Sequence, residues 1–220
     1  MMGIMGRVWA FLFFLSWVGP AVAAEPALLL ADPEEPLETA WEHIVFEGAT
    51  EYSRDTVDGR AAIRARGRDS ASGLYREVSY SLGDRPWIQW AWRVERLQPS
   101  ADIRIKEGQD FAAALYVMFG RPGPLNRDVP VLTYVWTNDS VPVGTVVPCP
   151  WHPEIMRHMV LRSGGRLGQW EDERRNVVED FRRAFGTEPP GDVEMIALFT
   201  DNDQTGEPVE ALYGAVRALR

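Results

Sequence analysis

A single cysteine, Cys149, leaves this 220-residue chain without an internal disulfide, so its fold must stand on packing alone. The three histidines, His43, His152 and His158, are scattered and match no zinc-ligand spacing. No G-x-S-x-G elbow, phosphate-cradling loop or dinucleotide fingerprint occurs, which removes the usual signatures of nucleophilic hydrolases and nucleotide enzymes. Positive charge is in deficit: 23 Lys and Arg face 32 Asp and Glu, for a formal net charge of −9. Such a chain repels phosphate backbones and anionic bilayers, so neither nucleic acid nor a polybasic membrane attachment is expected. Long apolar runs are missing too. The longest, Val8 to Val18, falls short of the ~20 residues that span a bilayer.

That run has the layout of a secretory leader. Arg7 precedes it, Gly19-Pro20 breaks it, and the small residues Ala21 to Ala23 offer a cleavage point. Residues 1–23 are therefore expected to be a signal peptide. The mature chain is expected to be soluble, exported to the periplasm or the medium, and free of a membrane anchor. Residues 24–40 mix acids and prolines and read as an extended lead-in, with Leu28 to Leu30 too few to make a core element. Residues 41–220 form one domain, long enough to bury its own core.

Period-two patterning dominates this domain. "WIQWAWRVERL" sets Ile88, Trp90, Trp92 and Val94 against Trp87, Gln89, Ala91 and Arg93. "DFAAALYVMF" and "VLTYVW" alternate in the same way. "YSRDTVDGRAAIRARG" reads as a hairpin turning at Asp58-Gly59. One segment departs: "EDERRNVVEDFRRAFG" spaces Val177, Val178, Phe181 and Phe185 as a helix, with Gly186 as its stop and Asp180 on a solvated side. About ten short strands and one late helix predict a mainly β chain. The expected architecture is an antiparallel β-sandwich, a jelly roll of the galactose-binding-like kind, with the helix covering one patch of sheet. A closed barrel is the alternative.

Seven strings occur in order: "SASGLYREV", "WAWRVERL", "IKEGQDFAAALYVMF", "TYVWTN", "MVLRSG", "EDFRRAFG" and "LFTDNDQTGE". Together they resemble the bacterial family known as domain of unknown function 3047, from Trp41 to the C-terminus. The resemblance implies an exported β-sandwich-like domain and carries no residue role.

Candidate chemistry therefore comes from the residues. "TDNDQTGEP" gathers Asp201, Asp203, Thr205 and Glu207 around Gly206. Carboxylate and hydroxyl oxygens suit a hard cation, so a structural Ca²⁺ is one reading and a polar turn between strands is the other. Counted as an EF-hand loop, the stretch puts Leu212 where a bidentate acid is needed, which excludes that motif. Trp87, Gln89, Arg93, Asp110, Tyr116, Tyr134 and Trp136 occupy the side of their strands opposite the expected core. On one shared surface they would offer aromatic platforms and polar groups for a sugar; otherwise they form a second small core with Arg93 and Asp110 paired. Lys106 and Asp110 flank Gly108 and read either as an acid–base pair or as a salt bridge that holds the turn. Cys149 with His152 reads as a nucleophile pair or as an inert thiol between two prolines. The leading expectation is an exported sandwich that binds polysaccharide or another envelope glycan. The alternatives are a glycan hydrolase or lyase on the same face, or an envelope protein-interaction module.

Overall fold

The computed structural model describes residues 26–121 and 128–220; the expected leader lies outside the described residues. The strands in chain order are β1 Leu28–Ala31, β2 Glu42–Glu47, β3 Glu51–Val57, β4 Arg60–Gly67, β5 Ala71–Tyr80, β6 Trp87–Arg96 and β7 Ala113–Met118. There follow β8 Val131–Thr137, β9 Val146–Pro148, β10 Met156–Ser163, β11 Glu171–Asn176, β12 Val193–Asp201, β13 Val209–Tyr213 and β14 Val216–Leu219. Two helices interrupt them, α1 Leu37–Ala40 and α2 Val177–Phe185. No helix among the described residues is long and apolar enough to cross a membrane.

The strands form two seven-stranded sheets packed as a sandwich. The first runs β1-β14-β6-β13-β4-β3, with β11 also paired to β6; the second runs β2-β5-β12-β7-β8-β10-β9. Every pairing is antiparallel except β8 with β10. The Asp58-Gly59 turn joins β3 to β4 with both residues at positive φ, 53° and 75°, the twist a two-residue hairpin requires. The main core lies between the sheets. Ile88, Trp90, Trp92 and Val94 of β6 meet Leu115, Val117, Leu132, Tyr134, Trp136 and Leu198 of the second sheet there.

Three local readings need correction. The lead-in is a strand: β1 pairs with β14 and buries Leu30 and Ala31. The helix begins only at Val177, because Glu171–Asn176 extends as β11 along β6. Asn176 then caps α2, its Oδ1 accepting the Val178 and Glu179 amides at 3.1 and 3.2 Å, and Gly186 ends it at φ 76°. Asp180 is buried, not solvated. It accepts the Tyr134 hydroxyl at 2.9 Å and pairs with Arg175, tying the helix to the core.

A second apolar cluster covers the outer face of the second sheet. Ala114, Tyr116, Met118, Val131, Val135, Val160, Ala197 and Phe199 point outward, and Ile103, Phe111, Val141 and Val147 from the connecting loops pack over them. The central strands β7 and β8 are thus buried on both faces.

Candidate functional site

The expected shared surface does not form. Tyr134 and Trp136 are fully buried between the sheets, Tyr134 against Trp90 at 5.1 Å and Trp136 against Trp92 at 6.0 Å. Their polar atoms are satisfied inside, by Asp180 and by the Gly164 carbonyl. Trp87, Gln89 and Arg93 lie on the outer face of the first sheet, on the far side of the sandwich. Trp87 lies beneath the Arg174 guanidinium, and Arg93 pairs with Asp58 and Glu95, not with Asp110. The reason is topological: β6 and β8 belong to different sheets, so matching periodicity never brings their side chains together.

Tyr116 and Asp110 do meet chemistry, at the outer face of the second sheet. The loops that cover this face leave a groove of about 400 Å³. Its floor is aromatic: Tyr116 stacks on Phe199 at 5.2 Å and 15°, and Tyr75 lies beside them. Gly73 faces Phe199 across the β5–β12 pair, and the missing Cβ lets the ring lie flat, since a methyl there would meet Phe199 Cδ2 at 2.5 Å. Two rings stand at the rim in solvent, Phe46 at 66 % exposure and Trp151 at 49 %. A register shift between Val45 and Glu47 turns Phe46 outward. Lys106 places its Nζ 4.8 Å from the Trp151 ring and forms no salt bridge with Asp110, which corrects the reading of a turn-holding pair.

Polar groups line one end of the groove: Gln109, Asp201, Asp203 and Gln204. Asp201 ends β12 on the same outward side as Phe199 and is buried. Its Oδ1 accepts the Phe111 amide at 2.9 Å, while Oδ2 has no donor among the described residues. Asp110 sits behind it, fully buried, and accepts from the Gln204 amide at 3.2 Å and from the Thr205 amide and hydroxyl at 2.8 and 2.6 Å. Carboxylate oxygens of Asp110, Asp201 and Asp203 lie within 4.8 Å of one another. Burial pushes the Asp201 carboxyl well above its ordinary range, and the charges of Asp110 and Asp203 add to the rise. Burial also raises Asp110, against the lowering by its Thr205 and Gln204 donors.

The set Asp201, Asp203, Thr205 and Glu207 therefore does not converge as one cage. Thr205 bonds Asp110, and Glu207 turns away to accept the Ser100 amide at 3.0 Å. The stretch is a folded polar turn, with Gly206 donating to the Asn202 carbonyl and the Asn202 side chain donating to the Glu207 carbonyl. Asp110, distant in sequence, is the third acid that joins Asp201 and Asp203. Beneath the groove, Cys149 is buried with its thiol pushed up, which favours the unreactive form. His158, on β10, is buried and held neutral, its value lowered to about 3 by desolvation.

Other depressions lack this combination. One of about 530 Å³ lies among Arg66, Arg68, Arg96, Asn202 and Glu210, and it has no aromatic wall.

Fold and groove together define an antiparallel β-sandwich with an aromatic-floored, acid-ended cleft on one outer face. The chain belongs to the family described as Protein of unknown function (DUF3047), which matches residues 39–217. No curated protein matches it in sequence. Among solved structures it is similar to the xyloglucanase domain of NopAA, a type three effector from Sinorhizobium fredii in complex with cellobiose. That match has a TM-score of 0.47 at 8% identity, over 81% of this chain and 92% of that one. It is similar also to the endoglucanase cel12A from Rhodothermus marinus, with a TM-score of 0.46 at 10% identity over 81% and 97%. A third is the Spr0440 glycoside hydrolase domain, Endo-D from Streptococcus pneumoniae R6, with a TM-score of 0.39 at 6% identity. There the match covers 81% of this chain and spans about a fifth, 21%, of the other.

Proposed function

We propose that this protein, exported as its leader suggests, binds a carbohydrate chain in the groove of the second sheet. One observation carries the reading. A stacked aromatic floor, Tyr116 on Phe199, and two solvent-exposed rings, Phe46 and Trp151, share a cleft with carboxyl and amide groups at one end. Sugar rings present flat C–H faces and a rim of hydroxyls. The former match aromatic platforms, and the latter need the paired acceptors and donors that Asp201, Asp203, Gln109 and Gln204 supply. Exposed large aromatics do nothing for the core, so their place at the rim is explained by a ligand better than by folding.

Affinity electrophoresis against a panel of envelope and plant polysaccharides tests this. Trp151→Ala and Phe46→Ala should weaken retention about tenfold each, the worth of a good stacking contact, with melting temperatures unchanged. Retention that survives both substitutions would overturn the reading. A second reading, cleavage of the bound chain, is favoured by Asp201, a buried carboxyl that lines the cleft and holds its proton. New reducing ends after incubation would mark turnover, and binding without product would leave a binding module.

A further inference from the structure

The acid end of the groove lacks a counter-charge. Ion pairs are common elsewhere: Arg64 with Asp55 and Glu210, Arg162 with Glu171 and Glu173, Arg175 with Asp180. Among the described residues no Lys or Arg pairs with Asp110, Asp201 or Asp203, although the three carboxyls lie within 4.8 Å of one another. Gathering acids without a cation, partly out of water, is costly unless a ligand supplies the charge.

The free acceptors indicate which cation. Both oxygens of Asp110 are committed to the loop, and Asp201 Oδ1 to Phe111. Asp203 Oδ2 accepts the Gln204 side-chain amide at 2.6 Å. What remains without a donor among the described residues is Asp201 Oδ2, on a side chain only 5 % exposed that lines the groove, together with Asp203 Oδ1 and Gln204 Oε1. Three acceptors match the three N–H donors of an ammonium group. They fall well short of the six to eight oxygens that Ca²⁺ takes. The faces of Tyr116 and Phe199 beside them attract an organic cation further.

We propose that the acid end of the groove receives the ammonium group of an amino sugar, so that the preferred ligand is a glycan with unacetylated 2-amino-2-deoxy residues. This rests on the carbohydrate reading above and names its substrate class.

Titration calorimetry of the purified protein near pH 6 tests it with four probes: the tetramer of β-1,4-glucosamine, its fully N-acetylated form, cellotetraose and tetragalacturonate. The glucosamine tetramer should bind about tenfold tighter than cellotetraose, as one desolvated ammonium–carboxylate contact implies. The N-acetylated form should lose that preference, and tetragalacturonate should bind most weakly. Asp203→Asn should bring the preference below about threefold and leave cellotetraose affinity unchanged. Acetylation is a probe-side control, so the test stands even if the variant misfolds. Equal or tighter binding of cellotetraose to the wild type overturns the proposal and leaves the carbohydrate reading intact. Binding of none of the four sinks both. A tetralysine peptide that binds as tightly as the glucosamine tetramer, or millimolar Ca²⁺ that abolishes the preference, reassigns the acids and also overturns it.

Discussion

Gly73→Ala is the sharpest probe of the groove floor, because two physical effects of opposite sign meet at one atom. Gly73 has no positive φ, so an alanine there incurs no backbone strain. By itself it would stabilise the protein by about 0.4–1 kcal/mol, since the unfolded chain loses freedom. Against this, the new Cβ would meet Phe199 Cδ2 at 2.5 Å, Phe199 Cε2 at 3.1 Å and Tyr75 Cε2 at 3.0 Å. Ordinary carbon contacts begin near 3.5 Å, so the Phe199 ring must retreat by about 1 Å. It has little room: Tyr116 stacks on it at 5.2 Å, and Phe111 and Phe46 flank it at 6.0 and 6.1 Å. Overpacking of this kind costs about 1–3 kcal/mol, so the clash wins and the net loss is ~1–2 kcal/mol. For a chain of this size, thermal unfolding should fall by about 2–8 °C. Polysaccharide retention should weaken with it, because the displaced ring is the platform. Phe199→Ala alone should cost about 3–5 kcal/mol, but in that background the ring is gone and Gly73→Ala should stabilise. The sign of the glycine substitution thus reverses between the two backgrounds. The same sign in both, or a more stable single variant with unchanged binding, would refute the claim that this glycine exists to seat the ring.

Two further outcomes follow from buried polar groups. Tyr134→Phe removes the hydroxyl donated to Asp180 at 2.9 Å inside the core, so urea denaturation should show a loss of about 1.5–3 kcal/mol with an unchanged m-value. The Asp201 carboxyl, raised in the folded state, keeps a proton that the unfolded chain has released once pH passes the ordinary value of 3.8. Its contribution to stability is therefore present in acid and lost as pH rises toward the folded value. The melting temperature of the wild type minus that of Asp201→Asn should fall as pH climbs from about 4 toward neutrality, and a difference that is flat or rises would contradict the burial of a protonated acid.

Alternation made the strands and the core side of β6 legible, because one side of β6 packs inward and the other carries Gln89 and Arg93 to solvent. It failed on β8. Every residue from Val131 to Thr137 is buried, so neither side is marked by polarity, and Tyr134 and Trp136 looked like surface because they carry polar atoms. The partner that resolves Tyr134 was in plain view: Asp180 falls on the same face of α2 as Val177, the helix's buried stripe. For the site, the polar turn at 201–207 was readable and its third acid was not. Asp110 is ninety-odd residues from Thr205, and only the β12–β7 pairing brings the start of β7 beside the end of β12. The rim rings were hidden for a different reason. Phe46 sits in a strand whose neighbours alternate, and it is the shift in register at Glu47, invisible in composition, that exposes it.

The two outer faces of the sandwich differ in how their charges end, and this separates the candidate site from the rest of the surface. On the first sheet, Arg64, Arg93 and Arg60 each reach an acid on a neighbouring strand or turn, which leaves a surface that is polar but internally satisfied. On the second sheet the face is apolar and roofed by loops, and the one place the roof opens is where three carboxyls meet without a basic partner among the described residues. A face built only for solubility would pair those acids, as the first sheet does. Leaving them unpaired beside a stacked aromatic floor raises the free energy of the unliganded protein, and a bound cation next to an apolar ring is the species that lowers it.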